Sequence, residues 1–162
     1  HDGLTLADSE AIAEYLDETF PAPPMMPQDI AARARARELS RFHDTRLEPV
    51  LRAYFSQVAP DGRDAKFIAD NARLLQSRLD QLAVMARPAP LLTGSALAIA
   101  DCGFVASFAI LDLLMECLDL PVRLPDSLAG YATTLAANPS VAGEDARYRA
   151  ALHDWAAAKG AY

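Results

Sequence analysis

The sequence predicts an all-α helical bundle that is preceded by a short remnant of an α/β domain. Three observations lead to this fold class. Beyond residue 27, apolar residues recur at helical spacing almost to the end of the chain, with no second strand pattern. Before residue 21, a short strand pattern runs into a single amphipathic helix. Between these two parts lies a proline-rich segment, which marks a domain boundary.

Residues 1–20 are predicted to be the remnant of the first domain. An Asp-Gly turn precedes Leu4–Leu6, whose alternation of apolar and polar residues predicts a short strand. So short a strand needs partners, which implies a sheet built mostly from residues that precede this sequence. Asp8 and Ser9 are typical helix-initiating residues. The apolar residues after them recur at i, i+4 and i+8: Ile12, Leu16 and Phe20.

Residues 21–27 are predicted to be a linker, because proline cannot continue a helix or fill a central strand. Residues 28–162 then form the helical domain. Helices are expected at about 28–58, 63–86, 99–118, 127–137 and 144–158. Pro49 predicts a kink in the first of them, which should pack antiparallel to the second. The third is apolar on nearly every side, which predicts an enclosed position.

Composition excludes several classes of partner. The net charge of -7 argues against nucleic acid, which requires a surplus of basic residues on one face. Six arginines between residues 33 and 52 share their helix with acidic residues, so they are interpreted as a solvated face. The apolar stretch 102–115 is interrupted by Asp112 and is shorter than the roughly 20 residues that span a bilayer. Nucleic acid and membrane are therefore not expected as partners.

The two cysteines, Cys102 and Cys117, are too far apart for a CxxC pair and indicate neither redox chemistry nor a metal site. Both are expected to be buried as small hydrophobic side chains of the enclosed helix. Such sparse use of cysteine suits a reducing compartment, and a cytoplasmic location is predicted.

Asp8 and Ser9 carry a possible binding chemistry at the start of the first helix. A helix N-terminus offers free N–H groups and a partial positive charge, both of which suit a carboxylate. Ser9 adds a hydroxyl donor, and Asp8 can pair with an ammonium group. Together they match the amino-acid end of a zwitterion such as a γ-glutamyl group. The alternative is a simple N-cap, which the residue types alone favour.

The order of several segments resembles the glutathione transferases. Residues 4–16 and the proline-rich break after them are similar to the strand and helix that close the thioredoxin-like domain of this family. The similarity continues through Leu-Glu-Pro at 47–49, Leu-Thr-Gly at 92–94 before Ile-Ala-Asp at 99–101, and Pro-Ser-Val at 139–141. Each motif alone is weak, and their order and spacing carry the resemblance.

The resemblance implies a protein that conjugates or reduces electrophilic small molecules with glutathione as co-substrate, without a metal. Asp8 and Ser9 would contact its γ-glutamyl group, although the family usually has Glu or Gln in place of the shorter Asp8. The activating Tyr, Ser or Cys of the family precedes His1, so no catalytic residue is assigned and the chain alone is expected to be inactive. A homodimer is implied. The alternative function is a non-catalytic protein-interaction module, since such helical domains also occur in proteins without transferase chemistry.

A second family landmark is a capping box at the start of the central helix, where Asp101 is present and Ala98 stands in place of Ser or Thr. Asp101 can accept a hydrogen bond there and Ala98 cannot, so about 1 kcal/mol of capping is expected to be missing. Asp101 is predicted to be a folding residue.

The long helix and the enclosed helix would line the second-substrate pocket. The candidate contacts with the electrophile are Arg41, His43, Phe104 and Phe108. His43 and Asp44 are not expected to act as an acid/base pair, because adjacent residues point about 100° apart around a helix. His43 is predicted to lie at the surface.

Overall fold

The computed structural model describes residues 1–162 and confirms the all-α domain. The main helices are α1 (Ser9–Thr19), α2 (Ile30–Phe42), α3 (Glu48–Arg52), α4 (Ala65–Met85), α5 (Ile99–Leu118), α6 (Asp126–Ala136) and α7 (Ala142–Ala158). A π-helical turn, His43–Leu47, joins α2 to α3, and 3-10 turns cover Ala53–Gln57 and Pro60–Gly62. The β-type pairing is limited to one isolated bridge between Leu91 and Gly94. No helix has both the length and the apolar character required to cross a membrane.

Aspartate side chains begin three of the helices. Asp8 caps α1, Asp29 accepts a hydrogen bond from the backbone of Ala32 at 2.8 Å in α2, and Asp64 accepts one from Phe67 at 3.0 Å in α4. Each carboxylate satisfies first-turn N–H groups that have no partner within the helix. The helix starts predicted from local sequence are therefore close to those observed.

The first long helix is interrupted close to Pro49, where a kink was predicted. Its π-helical turn ends immediately before α3, and the N–H of Glu48 donates to the carbonyl of His43, five residues earlier. Pro49 follows as the second residue of α3 and has no N–H to donate. The predicted helix 28–58 is thus a series of α, π, α and 3-10 segments. Such π-turns are rare and often occur at functional sites.

Two hydrogen bonds establish that α4 runs antiparallel to the α2–α3 segment, as predicted. The guanidinium of Arg35, early in α2, donates to the carbonyl of Met85 at the end of α4, at 2.7 Å. The amide of Asn71, early in α4, donates to the carbonyl of Val50 in α3, at 3.0 Å. The enclosed position predicted for α5 is also confirmed, since it contributes many fully buried side chains to a single core.

Asp101 holds the start of α5 against two other parts of the domain. Its side chain is completely buried. The carboxylate accepts hydrogen bonds from the N–H of Ala98 at 2.9 Å, the N–H of Leu92 at 3.1 Å and the hydroxyl of Tyr131 at 2.8 Å. Burial and then the charge of Asp101 raise the pKa of Tyr131, which therefore remains a donor. Asp101 is in a structural position, as predicted, and Ala98 contributes no side-chain cap.

The strand predicted at Leu4–Leu6 does not form. The N–H of Leu4 donates to the carbonyl of His1 at 2.8 Å in a turn, and both leucines are exposed. A strand needs a neighbouring strand to pair with its backbone N–H and C=O groups. No such neighbour is present here, so the alternating pattern does not form a strand.

The prediction that both cysteines are buried is wrong for Cys102. Cys117 is buried, whereas Cys102 lies in the first turn of α5 with its side chain on the exposed side. The pattern of α5 is apolar nearly all round, so periodicity could not separate its inner and outer faces there. Desolvation, followed by the charges of Asp101 and Glu10, raises the pKa of the Cys102 thiol, which keeps it protonated and weakly nucleophilic.

Candidate functional site

The polar face of α1 lies against α2. Glu14 accepts two hydrogen bonds from the guanidinium of Arg37, at 2.8 and 2.9 Å. One turn earlier, the hydroxyl of Ser40 donates to the carboxylate of Glu10. Because Glu10 and Glu14 are four residues apart, both carboxylates reach α2 from the same side of α1. This docking fixes the direction in which the N-terminus of α1 points.

The apolar face of α1 is turned away from the bundle. Ile12, Leu16 and Phe20 are 37%, 46% and 57% exposed, respectively. An amphipathic helix normally buries this stripe, so the orientation here is the reverse of the usual one. The ring of Phe20 lies 5.8 Å from that of His1, and all three apolar side chains remain more than one-third exposed.

Asp8 acts as the N-cap of α1. Its Oδ1 accepts hydrogen bonds from the N–H groups of Glu10 and Ala11, at 3.1 and 3.2 Å, and these bonds leave Oδ2 free. The side chains of Asp8 and Ser9 are both exposed. The capping interpretation from sequence is therefore confirmed. The same geometry leaves one carboxylate oxygen and one hydroxyl directed towards solvent beside the helix N-terminus.

The backbone of Asp8 is strained. Its φ is 81° and its ψ is 120°, a combination that residues with a side chain seldom adopt. Such a conformation costs about 1–3 kcal/mol and is concentrated at ligand-binding and active sites. The turn that opens α1 therefore has a feature that capping alone does not require, since ordinary N-caps have extended backbones.

A groove of about 310 Å³ lies between α1 and α2, next to this turn. Its lining consists of Asp8, Glu10, Ala11, Glu14, Arg37 and Arg41. The α1 side is acidic and the α2 side is basic, so the groove presents opposite charges across a short span. A zwitterionic ligand fits this distribution better than an apolar one does.

The ion pair between Glu14 and Arg37 perturbs both groups. The hydrogen bond from Arg37 lowers the pKa of Glu14, and the same bond raises the pKa of Arg37. Both side chains are partly exposed, which screens the attraction. At neutral pH the two groups are charged and paired with each other, and neither is available as an acid or a base.

The structure separates the four residues suggested as contacts with an electrophile. Arg41 is exposed and lines the groove. Phe104 and Phe108 are buried, at 0% and 5% exposure, and belong to the core. His43 is also buried, so its predicted surface position is wrong. Of these candidates, only Arg41 is accessible from the groove.

His43 belongs to a buried hydrogen-bonded chain. Its Nδ1 lies 2.7 Å from Oδ1 of Asp44, and its Nε2 lies 2.8 Å from the hydroxyl of Ser107 on α5. The expectation that His43 and Asp44 cannot meet is wrong, because the ring nitrogen and the carboxylate of these neighbours lie within hydrogen-bonding distance inside the π-helical turn that starts at His43. Ser107 is 2% exposed, so no substrate reaches its hydroxyl. These hydrogen bonds join α5 to the π-turn, and their role is structural.

Comparison with known proteins shows which proteins the chain resembles. No family model matches the chain. Glutathione S-transferase U6 of Arabidopsis thaliana is 32% identical over 75 residues, which are 46% of this chain and 32% of that protein. Probable maleylacetoacetate isomerase 1 of Drosophila melanogaster is 45% identical over 49 residues, which are 30% of this chain and 20% of that protein.

A solved structure extends the likeness over most of the chain. A glutathione S-transferase of Methylobacterium radiotolerans, in complex with glutathione sulfonate, superposes with a TM-score of 0.64. The match covers 85% of this chain and 65% of that one, at 23% identity, and concerns the fold. The chain is therefore similar in sequence and in fold to members of the glutathione transferase superfamily. The matched segments span about a third or less of the curated relatives.

Sequence reasoning missed the two residues of α2 that complete the groove. Glu10 and Glu14 are four residues apart, and so are Arg37 and Arg41. These matched spacings on two amphipathic helices were an available signal of complementary faces. The sequence alone did not indicate that α1 and α2 pack through these faces.

Proposed function

We propose that the chain is the C-terminal part of a glutathione transferase that conjugates or reduces electrophilic small molecules with glutathione. The observation that carries this proposal is the turn at Asp8 and Ser9, which is exposed, strained and placed at a helix N-terminus beside a charged groove. Similarity to glutathione transferases supports it, as does the name of the Methylobacterium radiotolerans structure, which is a complex with glutathione sulfonate.

In this proposal, the γ-glutamyl end of glutathione binds at the start of α1. Its carboxylate accepts hydrogen bonds from the Ser9 hydroxyl and from N–H groups of the first turn, where the helix dipole favours an anion. Its ammonium group pairs with the free Oδ2 of Asp8, while Oδ1 continues to cap the helix. The division of roles between the two oxygens allows one aspartate to serve both purposes.

The chemistry is nucleophilic attack by the glutathione thiolate. A sulfur–carbon bond forms at the electrophile, and the bond to the leaving group breaks with its electron pair; attack on a disulfide instead releases a thiolate. This chain holds and orients the amino-acid end of the nucleophile. The group that lowers the pKa of the thiol is proposed to lie in a thioredoxin-like domain preceding residue 1.

The domain organisation belongs to the same proposal. Residues 1–20 complete a thioredoxin-like domain whose sheet covers the apolar face of α1, residues 21–27 link the domains, and residues 28–162 form the helical domain. The exposure of Ile12, Leu16 and Phe20 supports this arrangement. The linker is tied to both sides: the N–H of Met25 donates to Asp17 of α1 at 2.5 Å, and its carbonyl accepts from Ile99 at 2.9 Å.

A homodimer and a cytoplasmic location complete the proposal. Two large apolar side chains are among the most exposed of the chain, Ile30 at the start of α2 at 84% and Val84 near the end of α4 at 77%. A shallow groove of about 660 Å³ runs along α4 past Val84. An exposed apolar surface with polar surroundings is typical of an interface, which supports dimerisation through α2 and α4.

Isomerisation that uses glutathione is a second candidate function. The observation that favours it is the 45% identity with the Drosophila melanogaster protein named as a probable maleylacetoacetate isomerase. Product analysis separates the two candidates, because an isomerase regenerates free glutathione and a transferase consumes it.

Retention on immobilised glutathione tests the central proposal. We expect the full-length protein to be retained and to be eluted by free glutathione. Turnover is then tested with an aryl chloride, whose substitution by glutathione is measured as the release of chloride. Retention without turnover would favour the non-catalytic interaction module, and retention of neither the chain nor the full-length protein would remove glutathione from the account.

A further inference from the structure

The groove between α1 and α2 contains two arginines, and only one of them is paired. Arg37 is committed to Glu14 through two hydrogen bonds. Arg41, one turn later on the same side of α2, lines the groove but takes part in none of the ion pairs of the chain. Its guanidinium is therefore a free cation at the edge of the cavity that begins at Asp8.

The acidic residues of α1 do not neutralise this cation. Glu14 is paired with Arg37, and the carboxylate of Glu10 accepts a hydrogen bond from the hydroxyl of Ser40. Asp8 uses Oδ1 for capping, and only its Oδ2 is free. The groove thus offers one unpaired guanidinium and a free carboxylate oxygen on each of Asp8 and Glu10. These free groups suit a ligand that carries both a carboxylate, which would pair with the guanidinium, and a cationic group, which would pair with a free carboxylate oxygen.

We propose that Arg41 is a binding residue of this groove and that it holds a carboxylate of the bound ligand. The planar guanidinium presents two parallel donors that match the two oxygens of a carboxylate. The inference rests on the proposed function, since it takes the groove to be the ligand site. The carboxylate comes either from glutathione or from the electrophile, and the two sources give different results on substitution of Arg41.

The experiment compares Arg41→Gln and Arg41→Lys with the full-length wild-type protein. Arg46→Gln is the matched control, because Arg46 is an exposed arginine one turn further along that does not line the groove. Glutathione affinity is measured by calorimetry. Activity is measured with 4-chloro-3-nitrobenzoate and with its uncharged amide, which differ only in the carboxylate.

If glutathione supplies the carboxylate, Arg41→Gln weakens glutathione binding about tenfold or more, and the two electrophiles lose activity equally. If the electrophile supplies it, KM rises by a similar factor for the benzoate alone, and glutathione affinity is unchanged. In both cases Arg41→Lys retains part of the effect, because it keeps the charge without the paired donors.

Equal behaviour of Arg41→Gln and Arg46→Gln in all three measurements would overturn the inference and leave the proposed function intact. Failure of the wild-type protein to bind glutathione would overturn both. The two failures are therefore distinguishable in a single set of titrations.

Discussion

At the scale of single residues, Gly103 determines how closely α5 approaches the π-helical turn. A Cβ added at this position would lie 2.6 Å from Cε1 and 2.7 Å from Nδ1 of the His43 ring. The ring is held on both sides, by Asp44 and by Ser107, and it also packs against Phe104 with centroids 4.8 Å apart. A Cβ at residue 103 would collide with a ring that these three contacts hold in place, so glycine suits the close packing here.

Gly103→Ala is expected to destabilise the protein by about 1–2 kcal/mol, because overpacking a filled core exceeds the gain in helix propensity. Denaturant unfolding measures the change. Gly130→Ala in α6 is the matched control, since a Cβ there meets nothing within 4 Å. That substitution should stabilise the protein by about 0.5–1 kcal/mol. A stabilising Gly103→Ala would show that His43 is not confined as described.

The residue scale is also where prediction from sequence succeeded and failed most clearly. The capping role of Asp8 followed from its type and position, because capping is a local interaction. The burial of His43 could not be predicted from its type and position, because it depends on a π-turn and on Ser107, which is 64 residues away. Neither feature leaves a periodic signal in the sequence.

At the scale of elements, the attachment of α1 to α2 is polar. The paired Glu14 has a lowered pKa because Arg37 stabilises its charged form. A group of this kind contributes stability fully above its ordinary pKa of 4.5 and loses that contribution as pH falls through its lower folded-state value. The contribution of this pair should therefore be constant at neutral pH and disappear in acid.

Glu14→Gln is expected to cost about 0.5 kcal/mol at pH 7, a small value because the pair is partly exposed. The cost should shrink towards zero as the pH is lowered below 4.5, where wild type also loses the charge. Thermal unfolding across this range measures it. Glu18→Gln on the same helix is the comparison, because it removes only a weaker charge interaction with Arg37 and should cost less. A pH-independent difference for Glu14→Gln would contradict the ion-pair interpretation.

Most element boundaries were predictable, because aspartate caps and proline breaks are local signals. α4 and α5 lie within two residues of the predicted spans 63–86 and 99–118. The absence of a strand at Leu4–Leu6 could not be predicted in this way, because a strand depends on pairing partners that the local pattern does not reveal. The same reason explains the groove: both of its walls were assigned as helices, but their pairing through Glu14 and Arg37 is a tertiary contact.

At the scale of the whole molecule, α4 has the charge pattern of a self-complementary contact. Arg73 and Asp80 are seven residues apart and both border the groove along α4, with Gln76 and Ser77 between them. In a two-fold symmetric pair of antiparallel α4 helices, Arg73 of one copy would face Asp80 of the other. The small Ser77 near the centre permits a close approach.

Arg73→Asp and Asp80→Arg are each expected to weaken the proposed dimer, because like charges then face each other across the two-fold axis. The double variant should restore it by exchanging the two signs. Light scattering at matched concentrations gives the mass of each protein. A wild-type protein that is monomeric throughout would contradict the dimer, and unaltered masses in both single variants would contradict this geometry.

The account depends on Asp8 binding the ammonium group of glutathione in addition to capping α1, and Asp8→Asn separates the two roles. Asparagine caps a helix as well as aspartate does and tolerates a positive φ, so the thermal midpoint should be unchanged. Loss of the charge should weaken glutathione binding to the full-length protein about tenfold in a calorimetric titration. Wild-type affinity in Asp8→Asn would contradict the account.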